Sequence, residues 1–227
     1  MSLILNIETS TTLCSVSIAK DGKIIALKEI NEGYTHAENL HVFIKEVLEK
    51  AGKIPKDLNA IAVGGGPGSY TGLRIGVSAA KGLAFALQIP LIAINTLVTM
   101  AATAISQNRS DILYCPMLDA RRMEIYTAIF DVNLNTVKET SPQIISEEDI
   151  SFFNTGKPIC FFGDGMPKCK DLLKKTPSSS FIDNIVPSAD ALAELAYKKL
   201  LNGQFEDVAY FEPFYLKNFI INGGNGN

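Results

Sequence analysis

"NIETSTTLCSVSI", residues Asn6 to Ile18, has a counterpart in "MLDARRMEIYTAI", residues Met117 to Ile129. An offset of 111 residues (119 − 8) sets Glu8 on Asp119 and Ser15–Ile18 on Tyr126–Ile129 without a gap. Each stretch reads as an apolar strand, an acidic turn and a second apolar strand. Such self-similarity points to an internal duplication. Two unrelated hairpins with acidic turns remain the alternative.

The pattern extends outward from both copies. Leu3–Ile7 reads as a short apolar strand and Leu13–Ala19 as a second with alternating small residues, and Asp21-Gly22 turns the chain into a third, Lys23–Ile30. Thr35-His36-Ala37-Glu38 has the spacing of a capping box, which predicts a helix to about Ala51, stopped by Gly52. A buried strand at Ala60–Val63, a long helix at Thr71–Leu87 and a strand at Leu91–Ile94 follow. In the second half, Ile159–Phe162 ends in Gly163-Asp164-Gly165, and Ala189–Leu201 is an amphipathic helix. The reading is an α/β protein of two lobes, 1–108 and 109–227, each from a ββ(β)αβα unit, the second reduced. The tail Asn222–Asn227, "NGGNGN", reads as mobile.

Composition narrows the function classes. Among 227 residues, 47% are hydrophobic, 20% are charged and the net charge is −3, as in an ordinary soluble globular chain. No basic excess marks a protein that grips nucleic acid by its phosphates. No apolar run is long enough to span a bilayer, and the first residues lack a secretory pattern. Cys14, Cys115, Cys160 and Cys169 lack paired spacing, so they read as reduced core thiols in a cytoplasmic protein.

Residues Ala62–Gly76, "AVGGGPGSYTGLRIG", resemble a phosphate loop at first sight. A P-loop requires lysine after its last glycine, but Ser69 follows Gly68. The dinucleotide spacing fails as well, because Thr71 stands where its final glycine belongs. The helix that follows carries Gly72, Gly76, Ala79, Leu83 and Ala86 within an arc of about 80°. Glycine costs a helix about 1 kcal/mol relative to alanine, so two on one stripe imply close approach by another backbone. That backbone belongs either to the chain's own sheet or to a partner.

The first helix carries a stripe of Leu40, Ile44, Val47, Leu48 and Ala51, and Val42 and Phe43 extend its apolar surface. Under the partner reading, the interface comprises His36, Leu40, Phe43, Ile44 and Val47, with Gly72, Ile75, Gly76, Ala79 and Leu83. A bulky residue at Gly76 would then weaken assembly and spare the fold. His36 and His41 lie about 140° apart on a helix, so they read as surface or interface residues rather than a metal pair. Glu8, Asp119 and Arg121 lie at strand ends where a nucleotide or other anion could sit. No nucleophile–base pair stands out, and no catalytic residue, metal or cofactor is assigned.

Together with "IPLIAINTLVTMA" and "EPFYLKN", these segments resemble the bacterial TsaB (YeaZ) family over essentially the whole chain, and GPGSYTGLRIG is a specific signature. The resemblance implies an actin/Hsp70/sugar-kinase-like (ASKHA) fold. It also implies a role in making threonylcarbamoyladenosine beside the tRNA anticodon, as partner of a catalytic paralogue, TsaD, and an ATPase, TsaE. A homodimer is expected when the paralogue is absent, with tRNA held mainly through the complex. The paralogue's Asn-His-x-x-x-His metal motif falls on Asn95–Met100, where Thr96 and Met100 replace the imidazoles. Hydroxyl and thioether are poor ligands for such an ion. The rival expectation is a small-molecule kinase or ATPase of the same superfamily.

Overall fold

The structure, a computed structural model, describes residues 1–33, 35–146 and 149–215. The expected tail at 222–227, and the end of "EPFYLKN", lie outside these.

Strands β1 (Leu3–Glu8), β2 (Cys14–Lys20) and β3 (Lys23–Ile30) form a meander. Helix α1 (His36–Lys50) then leads to β4 (Ala60–Gly64), α2 (Tyr70–Leu87), β5 (Leu91–Ile94) and α3 (Thr96–Gln107). The second half runs β6 (Leu113–Asp119), β7 (Glu124–Phe130), β8 (Thr136–Ile144), β9 (Ile159–Phe162), α4 (Lys170–Leu173), β10 (Ser179–Ile182) and α5 (Ala189–Leu201). The sheets have orders β3-β2-β1-β4-β5 and β10-β9-β6-β7-β8. Read in opposite directions these are the same topology, as duplication requires. Single-turn 3₁₀ segments and four-residue α4 stand in the second half where α1 and α2 stand in the first.

The ungapped alignment needs one correction. Glu8 pairs with Ser15, but Asp119 pairs with Ile125, so the second turn is one residue shorter. The first strands correspond at an offset of 111 (119 − 8) and the second strands at 110 (125 − 15).

Alternation along the strands sorts the core into faces. Leu5, Ile7, Ile61 and Val63 point toward α1 and α2, while Ile4, Ala60, Ala62 and Ile92 meet Leu192 and Ala196 of α5. On the second sheet, Tyr114, Leu118 and Phe162 pack against Leu97, Met100 and Ala104 of α3. The two helices are exchanged: α3 covers the second sheet and α5 the first, and they touch in the middle layer. The boundary at residue 108 separates the strands of the two sheets, but it does not separate these layers.

Candidate functional site

The quoted turn and the glycine loop are built into each other. Glu8 Oε1 accepts the Ser10 amide at 2.7 Å, and at the offset of 111 Asp119 Oδ1 accepts the Arg121 amide at 2.7 Å. In the first lobe the turn folds beneath α1 and α2. Ser10 O accepts the Ser69 amide at 2.6 Å, Thr11 O meets His36 Nε2 at 2.7 Å, and Thr9 Oγ1 donates to Gly72 O at 2.8 Å.

The glycines make room for these neighbours rather than for a ligand. A Cβ on Gly64 would run into the Glu8 carboxylate, and one on Gly68 into Ser10 O. A Cβ on Gly66, which has φ +96°, would lie 2.8 Å from Phe214 O. Gly65 donates its amide to Ile94 O at 2.7 Å and accepts that of Phe214 at 2.8 Å. Ser69 caps α2 through its hydroxyl, which accepts the Gly72 amide at 3.3 Å. Gly64–Pro67 are buried by their own chain, while Gly68, Ser69 and Tyr70 stay partly exposed.

The same geometry corrects the expected interface. Cβ atoms on Gly72 and Gly76 would strike Thr9 O and Thr9 Oγ1, so the close backbone approach is intramolecular. Leu40, Phe43, Ile44 and Val47 are buried in the core, and Ile75, Ala79 and Leu83 pack half-buried against it. His36, expected at a surface or interface, is 1% exposed, and burial holds its pKa below the ordinary value. Thr35 stands at the N-cap, but its hydroxyl makes no capping bond.

The outward face of α2 lies on its other side. Thr71, Ser78, Gly82, Phe85 and Ala86 are exposed, Phe85 by 79%. Thr71, Ile75, Ser78, Gly82 and Ala86 span an arc of about 80°. Nothing lies within 4 Å of a Cβ built on Gly82. On α1 the outward residues are Ala37, Glu38, His41, Val42, Lys45, Glu49 and Lys50, of which only Val42 is a large apolar residue. Phe85 was the legible signal: a large apolar side chain off the helix's buried stripe.

The acidic residues part company. Glu8 is fully buried, and desolvation pushes its pKa up, so it does not face an anion. Asp119 is exposed beside Lys168; partial burial would raise its pKa, but the Lys168 ammonium and Arg121 amide hold it low. Arg121 is exposed on the same turn. Asp164 accepts the Asp119 amide at 3.0 Å, and burial followed by the neighbouring Asp119 charge pushes its pKa up.

Thr96 and Met100 are both fully buried, Met100 in the second core beside Gly163. Among the described residues no three His, Cys, Asp or Glu side chains gather, and no helix is long and apolar enough to cross a membrane. A hollow of about 250 Å³ opens where Asn95 and Val98 meet Leu195 and Lys198, below the usual size of small-molecule sites.

Residues 32–217 match the family model described as TsaD, tRNA N6-adenosine threonylcarbamoyltransferase. The Escherichia coli tRNA threonylcarbamoyladenosine biosynthesis protein TsaB is 31% identical over 95% of this chain and 94% of its own. The chain belongs to the TsaB family. A Pseudomonas aeruginosa crystal structure, described as similar to peptidase YeaZ, superposes with a TM-score of 0.82 at 25% identity. That match covers 96% of this chain and all of the other. Component A of the Acidaminococcus fermentans (R)-2-hydroxyglutaryl-CoA dehydratase shares the fold at a TM-score of 0.50 and 13% identity, over 88% of this chain and 98% of its own. The two-lobed ASKHA fold that the family resemblance implied is the fold observed.

Proposed function

We propose that this TsaB-family chain is a non-catalytic scaffold subunit that docks a TsaD-type catalytic paralogue on the outward face of α2, with α1 beside it. The chain takes part in tRNA threonylcarbamoyladenosine biosynthesis, the process for which its family is named. One observation carries the docking reading. The glycine loop's ligand space is filled by Glu8, Ser10 and Phe214, while α2 offers an open stripe of small side chains flanked by exposed Phe85. A helix with such a stripe admits a second helix at close range, and an exposed aromatic anchors it.

The same face serves a second copy of the chain when the paralogue is absent, so homodimer and heterodimer compete. A stable surface of this kind buries on the order of 1,500 Å² in total. A TsaE-type ATPase joins the assembly, and tRNA is held mainly by the complex, since a net charge of −3 offers phosphate little.

Gly82→Arg tests the face without touching the core, because the new side chain enters open space. Light scattering should show loss of the homodimer, and co-purification should show loss of the paralogue, with the circular dichroism spectrum retained. Intact assemblies with this variant would refute α2 as the docking face. The kinase or ATPase reading holds magnesium–nucleotide between Glu8 and Asp119, whereas Glu8 is sealed in and exposed Asp119 is paired with Lys168. Calorimetry with magnesium–ATP separates the two: micromolar binding with turnover would replace the scaffold reading.

A further inference from the structure

The segment after α5 runs back across the first lobe. The Glu206 amide donates to Leu91 O at 2.9 Å on the edge strand β5. Lys81 of α2 donates to Phe211 O at 2.8 Å and to Ala209 O at 3.2 Å. The Phe214 amide then reaches Gly65 O at 2.8 Å, and Phe214 O fills the space beside Gly66. At its end Tyr215 lies against Tyr70 with ring centres 5.1 Å apart, and Arg74 covers the Tyr70 ring at 4.1 Å.

This strap is tied down by main-chain bonds and one ammonium rather than by a core of its own. Tyr210 is 84% exposed and Phe205 and Phe214 each 46%, and only Val208 and Phe211, both half-buried, pack against the first lobe's core. Segments with few buried apolar contacts open locally at far lower free energy than the sheet they lie on.

We propose that residues 205–215 form a releasable latch, tied to α2 by Lys81, which opens as a unit while both lobes stay folded. Closed, it covers the β5 edge and holds the glycine loop and the first turn of α2 in place. Open, it frees Leu91 O, Gly65 O and the Lys81 ammonium together. The latch stands apart from the docking reading. Its effect on docking, through the seat of α2, rests on that reading.

Hydrogen exchange on the full-length protein, read by mass spectrometry, tests the latch. In the wild type, amides of 206–214 should exchange much faster than those of β4. Lys81→Met keeps the helix and the apolar stem while removing the ammonium. It should speed exchange in 206–214 by roughly tenfold, the equivalent of one hydrogen bond. Exchange in 65–72 should rise with it, and β6 and β9 should be unchanged. Exchange of 206–214 at the β4 rate, no response to Lys81→Met, or an equal acceleration everywhere would each overturn the latch. Faster latch exchange with unaltered paralogue binding would uphold the latch and sever its link to docking.

Discussion

The seat of the β1–β2 turn under α2 can be tested with three substitutions. At Gly76 the obstacle to a Cβ is Thr9 Oγ1, the tip of a side chain; at Gly72 it is Thr9 O, which is main chain. Overpacking a well-packed site costs about 1–3 kcal/mol. Alanine returns about 1 kcal/mol of helix propensity within a helix. Gly76→Ala should therefore lose about 1 kcal/mol. Gly72→Ala should lose about 3 kcal/mol, because the turn itself must move and the bond from Thr9 Oγ1 to Gly72 O at 2.8 Å is strained away. For a chain of this size these losses lower Tm by about 2–4 °C per kcal/mol. Thr9→Ala alone costs about 1 kcal/mol for the lost hydrogen bond. Combined with Gly76→Ala, it removes the colliding atom, so the pair should couple favourably by about 1–2 kcal/mol. Combined with Gly72→Ala, it removes nothing that collides, and the losses should add except for the one hydrogen bond, about 1 kcal/mol, that both changes give up. Urea unfolding of the five variants reads the cycle. A Gly76→Ala protein as stable as wild type, with no coupling to Thr9→Ala, would refute the seat and return these glycines to the candidate interface.

Two buried titratable groups should tilt stability in opposite directions with pH. Desolvation raises Glu8, so the folded chain keeps a proton that the unfolded chain gives up near its ordinary value of 4.5. Its share of stability is full below that pH and lost as pH rises through the folded value. Glu8→Gln should therefore gain on wild type as urea titrations move from pH 5 to pH 8, and a constant difference would contradict it. His36 is held below 6.5, so the unfolded chain takes up protons first and stability should fall on acidification through that value. Chemical denaturation of His36→Gln, which cannot titrate, should lack that fall. The four cysteines are all buried and unpaired, with Cys115 pushed up to about 12 and Cys14 to about 11 by desolvation. The native protein should leave a thiol-reactive dye nearly unreacted and the unfolded protein should consume four equivalents, so rapid native labelling would contradict this burial.

The local patterns carried the fold further than the site. The apolar run of Leu3–Glu8, the alternation in Cys14–Lys20 and the turn residues between strands are read within a few residues of one another, so most first-lobe elements could be placed from sequence. Helix α3 could not, because Thr96–Gln107 contains no charged residue and lies between the second sheet and α5 with little polar face to reveal a period. Strand β8 escaped for the opposite reason: it is a mostly polar edge strand interrupted by Pro142. The sidedness of α2 was beyond local reading altogether. The residue that consumes its glycine face, Thr9, sits 63 positions away from Gly72.

The turn at Thr9–Thr11 also explains how this lobe differs from one built to hold a phosphate. A phosphate-wrapping hairpin leaves its backbone groups facing a cleft. Here three consecutive carbonyls are spent inside the lobe: Thr9 O against Gly72, Ser10 O on the Ser69 amide and Thr11 O on His36. Two of these contacts reach α2 and the third reaches α1, so the turn acts as a bracket that sets the spacing of the two helices. The corresponding turn of the second lobe is not used in this way; Arg121 and Arg122 stand exposed there with φ of 72° and 51°. These contacts add to the close packing of the core in fixing the separation of the two helices. The element that could have met a ligand in the first lobe instead braces the two helices, and the glycines of α2 point inward to receive it.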